Sequence, residues 1–134
     1  METLWATLPV WFRAAAGFAV GAATGSFAAL VIDRVPRGVG ISGRGDSPPS
    51  RCVCGRELAL WENLPIVSYL ALRGCARCCG ATIPAWYLGT EVVLATWWAV
   101  TWTMASPVAA VAAAVGGSLV LLLLGLSWER IRRS

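Results

Sequence analysis

Two long apolar runs carry no charge and fix the setting of this chain. Residues 14–32 give 19 consecutive uncharged residues, and residues 107–127 give 21, including the apolar block 119–124. About 20 such residues are needed to cross a hydrocarbon core of roughly 30 Å. A third stretch, residues 83–104, is long enough but contains Glu91. Its tryptophans Trp86, Trp97, Trp98 and Trp102 lie towards its two ends, where an interfacial belt is expected. With 57% hydrophobic residues concentrated in runs, the 134 residues read as an all-α membrane protein of about three transmembrane helices. The segment before the first run holds Glu2, Pro9 and Arg13 and lacks a basic n-region. It reads as a retained helix rather than a cleaved signal peptide.

The charge pattern orients the spans. All eleven basic residues are arginine, as codon bias in a GC-rich genome would produce. Seven of them (Arg34, Arg37, Arg44, Arg51, Arg56, Arg73 and Arg77) fall between the first two spans, and Arg130, Arg132 and Arg133 follow the last. The positive-inside rule places that loop and the C-terminus in the cytoplasm and the N-terminus outside. The expected organisation is a first transmembrane helix over 1–34 and a cysteine-rich loop over 35–82. The second and third spans occupy 83–128, and an arginine-rich tail occupies 129–134. The lipid bilayer is the first expected partner, with most loop arginines facing anionic head groups. No nucleic-acid partner is expected.

The loop carries all five cysteines: Cys52 and Cys54, then Cys75, Cys78 and Cys79. The chain has no histidine. Two cysteine clusters about twenty residues apart can each give two thiolates to one tetrahedral zinc ion. A reducing cytoplasm favours metal over disulfides. All five are candidate ligands of a structural, zinc-ribbon-like site. One residue between Cys52 and Cys54 is tight for a knuckle, and Gly55 could relax the turn after it. Arg51, Arg56 and Arg77 would offset the charge and favour thiolate. Degenerate cysteines and a redox role are the alternatives.

Other segments are quieter. Gly17, Gly21 and Gly25 recur at i, i+4, i+8 and form a stripe for close helix approach, either as generic packing or for a helix of another chain. Pro36 and Gly38 end the first helix. Residues 38–50 have linker composition and do not form a phosphate-binding loop. Pro65 opens a short apolar helix of two turns, expected in the interface or as a re-entrant piece. Glu91 is the one acid near the membrane core, with a hydrogen bond to another helix or a loop arginine as its plainest role.

Several stretches then point to one family. They are Gly25-Ser26-Phe27, Ile32-Asp33-Arg34-Val35-Pro36-Arg37-Gly38, Pro48-Pro49-Ser50-Arg51-Cys52 and Cys54-Gly55. Further along come Glu62-Asn63-Leu64-Pro65-Ile66-Val67-Ser68-Tyr69-Leu70, Leu72-Arg73-Gly74, Cys79-Gly80-Ala81, Ile83-Pro84, Tyr87 and Glu91. Over about residues 25–91 this pattern resembles the N-terminal region of the prepilin leader peptidases/N-methyltransferases of type IV pilus and type II secretion systems. The resemblance implies a multi-pass protein of the bacterial plasma (inner) membrane with a zinc-binding cytoplasmic loop. It also implies S-adenosylmethionine as methyl donor and type IV prepilins as substrates. Glu62, Asn63 and Glu91 become candidate functional residues.

The family cleaves with two membrane-facing aspartates, one in a Gly-x-Gly-Asp motif. Here the aspartates are Asp33 and Asp46, and neither lies in that motif. Peptide hydrolysis needs a carboxylate pair to activate water, one as base and one as acid. No catalytic residue is therefore assigned, and a separate aspartate-bearing half is the expected partner. A non-catalytic zinc-loop adaptor and a degenerate remnant are the alternatives. This sequence also departs from the family pattern in the shortened first cysteine pair and at Ala76, the family's first position of the second pair. Ala29, Trp86 and Leu88 are further departures.

Overall fold

The computed structural model describes residues 5, 7–41, 50–104 and 106–133. Its helices are α1 (Val10–Arg34), α2 (Val67–Ala71), α3 (Ala85–Met104) and α4 (Pro107–Arg133), with 3-10 turns at Val35–Arg37 and Leu60–Asn63. No strand occurs among the described residues, only isolated bridges Arg51–Glu57 and Cys75–Thr82. The segment 42–49, which includes Asp46, Arg44 and most of the expected linker, lies outside the described residues.

The glycine stripe of α1 meets α3 of the same chain. A Cβ at Gly17 would lie 2.8 Å from the Trp98 carbonyl oxygen, and one at Gly25 2.6 Å from Glu91 Cα. At Gly21 it would collide with the Leu94 carbonyl oxygen and sit 2.8 Å from Ala95 Cα. Only hydrogen fits there, so the two backbones pack in direct contact. The buried core is correspondingly small-residued: Ala22, Ala28, Ala29, Ala95, Ala110 and Ala114, with Leu94 the largest fully buried side chain.

Helix α4 joins through α3. Trp98 is buried, and its indole N–H donates to Ser118 Oγ at 3.0 Å; Trp97 donates to the Ala113 carbonyl at 3.1 Å. Trp98 is thus a helix–helix contact rather than a member of an interfacial belt. The outer face of α4 stays exposed at Leu119, Val120, Leu123, Leu124 and Trp128. Two helices, Val10–Arg37 and Pro107–Arg132, are long and apolar enough to cross a membrane. The last of these runs on through the arginine-rich tail without a break.

The expected two-turn helix after Pro65 is shorter, at five residues. Ile66 takes φ 61°, ψ −51°, and the Val67 N–H closes on the Pro65 carbonyl at 2.5 Å. This is a γ-turn of the rare positive-φ type. A β-branched residue in that region cannot continue a right-handed helix, so α2 starts only after it.

Candidate metal centre

Each cysteine cluster sits on a tight turn. In the first, the Gly55 N–H bonds the Cys52 carbonyl and the Cys52 N–H bonds the Arg56 carbonyl, both at 2.8 Å. Gly55 adopts φ 88°, a conformation that costs glycine little. In the second, the Ala76 N–H bonds the Ala81 carbonyl and the Gly80 N–H the Ala76 carbonyl, again at 2.8 Å. The two turns face each other. Cys52 Sγ lies 3.4 Å from Cys79 Sγ, Cys54 Sγ donates to Cys78 Sγ at 3.2 Å, and Cys78 donates to Cys79 at 3.9 Å.

These four sulfurs all lie within 4.8 Å of one another. A tetrahedral zinc ion with Zn–S bonds near 2.3 Å needs sulfur separations of roughly 3.8 Å. The observed contacts bracket that value, so the donor set fits one tetrahedral ion. Cys75 is not part of the group. It lies on the bridge to Thr82, and its place beside Cys79 is taken by Cys78. Of the five candidate ligands, the second cluster therefore brings the two adjacent in sequence, Cys78 and Cys79, to the group.

Arg56 is the arginine that reaches the cluster. Its guanidinium lies 2.5 Å from Glu62 Oε1, and Cys78, then Glu62, raise its pKa. Arg51 instead pairs with Glu57, and Arg77 lies over the Trp61 ring at 5.9 Å. Cys78 is lowered to about 6 by hydrogen bonds from Cys52 and Cys54, and then by Arg56. For Cys52 and Cys54, backbone hydrogen bonds at Cys54 and Arg56 respectively act to lower the pKa. The thiol contacts led by Cys78, together with burial, outweigh them, and both are raised. Cys78 is thus drawn towards thiolate while Cys52 and Cys54 are held towards thiol.

Glu62 is buried although it is charged. Its Oε2 accepts the Ala59 N–H at 2.7 Å, and that bond, with Arg56, lowers its pKa. The carboxylate caps the Leu60–Asn63 turn and fixes the arginine in one stroke. Asn63 donates to the Ala59 carbonyl at 3.3 Å. Glu91, also buried, accepts the backbone N–H of Ile66 at 2.7 Å. Its partner is a backbone amide of the loop, which no side-chain pattern could have pointed to. Between the loop and the ends of α1 and α3 lies a cavity of about 440 Å3, lined among others by Arg34, Asn63, Ser68, Tyr69, Tyr87 and Glu91.

Residues 19–105 match the Bacterial Peptidase A24 N-terminal domain. The chain belongs to this family. It is 45% identical over 77 residues to the prepilin leader peptidase/N-methyltransferase of Myxococcus xanthus, covering 57% of this chain and 22% of that protein. The protein of the same name from Burkholderia pseudomallei strain 1026b is 35% identical over 104 residues, covering 61% and 34%. That of Pectobacterium carotovorum is 32% identical over 103 residues, covering 63% and 37%. The chain thus spans between about a fifth and somewhat over a third of these relatives. No solved structure matches it. The matched region takes in both cysteine turns, α2, α3 and most of α1.

Proposed function

We propose that this chain is a membrane-embedded N-terminal domain for type IV prepilin processing, in pilus assembly or type II secretion. It acts with an aspartate-bearing peptidase half supplied from outside these 134 residues. The observation that carries the reading is the convergence of Cys52, Cys54, Cys78 and Cys79 on a loop docked against α1 and α3, within a matched A24 N-terminal domain.

Zinc in that site is structural. Four thiolates leave no open position for water or substrate, and the ion would tie the two turns together. Asp33 pairs with Arg37 one helical turn on, and neither Asp33 nor Asp46 lies in a Gly-x-Gly-Asp motif, so no hydrolytic role is assigned to them. S-adenosylmethionine is not fitted by a recognisable adenosine cradle. The described residues form no strand leading into a Gly-rich turn, so methyl transfer rests on the resemblance alone.

The protein lies in the bacterial plasma membrane and crosses it with α1, α3 and α4. Only 11% of the most apolar stretch of α4 is buried, unlike the core helix of a soluble protein. At 1.5 Å per residue, the 20 residues of α3 reach roughly 30 Å, enough to span. The arginine distribution supports a cytoplasmic loop and C-terminus.

Co-expression tests the reading. The tagged chain should co-purify with a Gly-x-Gly-Asp-bearing membrane half, and a prepilin supplied to the pair should be shortened at its leader, read by mass spectrometry. Absence of a complex and of cleavage would sink it.

A further inference from the structure

The loop segment around α2 is tied to α3 well inside the end of that helix. Glu91 is six residues into α3 from Ala85, or about 9 Å along the axis. Gly25, which packs on Glu91, is eight residues before Asp33 on α1, or about 12 Å. Two helices thus give a similar level, about two turns inside the first residue of α3 and the charged end of α1. The Ile66 N–H is hydrogen-bonded to the Glu91 carboxylate at that level.

The polarity of the segment fits that depth. Ser68, Tyr69 and Leu72 line the cavity, and Leu64, Val67 and Leu70 are 49, 60 and 62% exposed. Large apolar side chains so exposed at hydrocarbon depth meet acyl chains. The backbone is prepared for the same environment. The Val67 N–H bonds the Pro65 carbonyl, the Ser68 N–H the Leu64 carbonyl at 3.1 Å, and Pro65 has no N–H to satisfy. The γ-turn leaves the Ile66 N–H without a backbone acceptor, and Glu91 supplies one. An unpaired amide at membrane depth costs several kcal/mol, and irregular backbone is tolerated there only when its polar groups are satisfied.

We propose that residues 64–70 form a re-entrant membrane anchor. Leu64, Val67 and Leu70 contact lipid chains, and Glu91 is the positioning residue that holds the turn down. The inference rests on the membrane reading above. The anchor fixes the cysteine turns at a set height over the bilayer, because Glu62 and Asn63 lead directly into it.

The test uses the full chain in lipid nanodiscs with a genetically encoded fluorescent amino acid at one position at a time. Phospholipids brominated on their acyl chains serve as quencher. Position 67 or 70 should lose fluorescence to an extent comparable with position 123 on exposed α4, and position 53 on the first cysteine turn should lose little. Quenching at 123 with none at 67 and 70 overturns the anchor and leaves the membrane reading standing. No quenching at 123 overturns both. Glu91→Ala should bring position 67 down to the level of position 53 with 123 unchanged. Glu91→Gln, whose amide oxygen still accepts, should keep it quenched. Full quenching at 67 in Glu91→Ala refutes the positioning role.

Discussion

The Arg56 guanidinium lies 2.5 Å from the buried Glu62 carboxylate and also helps to lower the pKa of Cys78. One side chain of the first cysteine turn thereby joins a capped 3-10 turn to the second cysteine cluster. The Glu62 carboxylate cannot turn away, because its other oxygen holds the Ala59 N–H.

Second-layer partners of metal ligands typically contribute 10–100-fold to metal affinity. Arg56→Ala and Glu62→Ala should therefore each weaken zinc binding by about tenfold or more. Competition with a chromophoric chelator measures this, and wild-type affinity in both variants would remove Arg56 from the site.

Zinc stoichiometry separates the five cysteines. The purified chain should hold one zinc per mole. Cys75→Ser should leave that value unchanged, since Cys75 is outside the sulfur group. Cys54→Ser and Cys78→Ser should lower it. Elemental analysis of the three variants decides, and loss of metal in Cys75→Ser alone would move the site.

The thiols should titrate apart in metal-free protein. Cys78 is lowered to about 6, and Cys54 is raised above its ordinary value. The reactive form is the thiolate. Alkylation of Cys78 by iodoacetamide should therefore be slow below about pH 6 and approach its plateau by neutral pH. Cys54 should react only in more alkaline solution. Peptide mapping of the alkylated chain reads both, and equal rates at neutral pH would contradict the hydrogen-bonding pattern.

The α1–α3 contact sets a volume limit. Gly21→Ala puts a methyl group into the backbone of Leu94 and Ala95. Overpacking of this kind costs about 1–3 kcal/mol. The melting temperature in detergent should fall, whereas Gly116→Ala, with nothing within 4 Å of its added carbon, should not lower it. A neutral Gly21→Ala would show that the helices are further apart.

Much of this was legible in one dimension. Runs free of charge announce helices because a buried unpaired charge is costly, and glycines at a four-residue repeat announce a face that another helix can approach. Cysteine pairs announce a metal site because thiolates are needed in fours. The segment from Glu62 to Leu70 marked the family, and Glu62 and Asn63 do cap and brace the turn that precedes α2.

What the residue order left open depended on geometry between distant segments. A stripe of glycines is equally suited to a partner in the same chain or another, and only the packing of Gly21 on Leu94 selected α3. Five cysteines offer several sets of four, and only the turns at Gly55 and Gly80 decided that Cys78 and Cys79 meet Cys52 and Cys54 while Cys75 stays on its bridge. Glu91 had a charge but no visible partner, because its partner is the Ile66 backbone amide, a group every residue but proline carries. The sequence by itself determined which residues are apolar, charged or thiol-bearing, and so the helices, the cysteine loop and the family. The tertiary structure decided which thiols, glycines and amides meet, because those encounters are set by turn dihedrals and interhelical distance rather than by residue type.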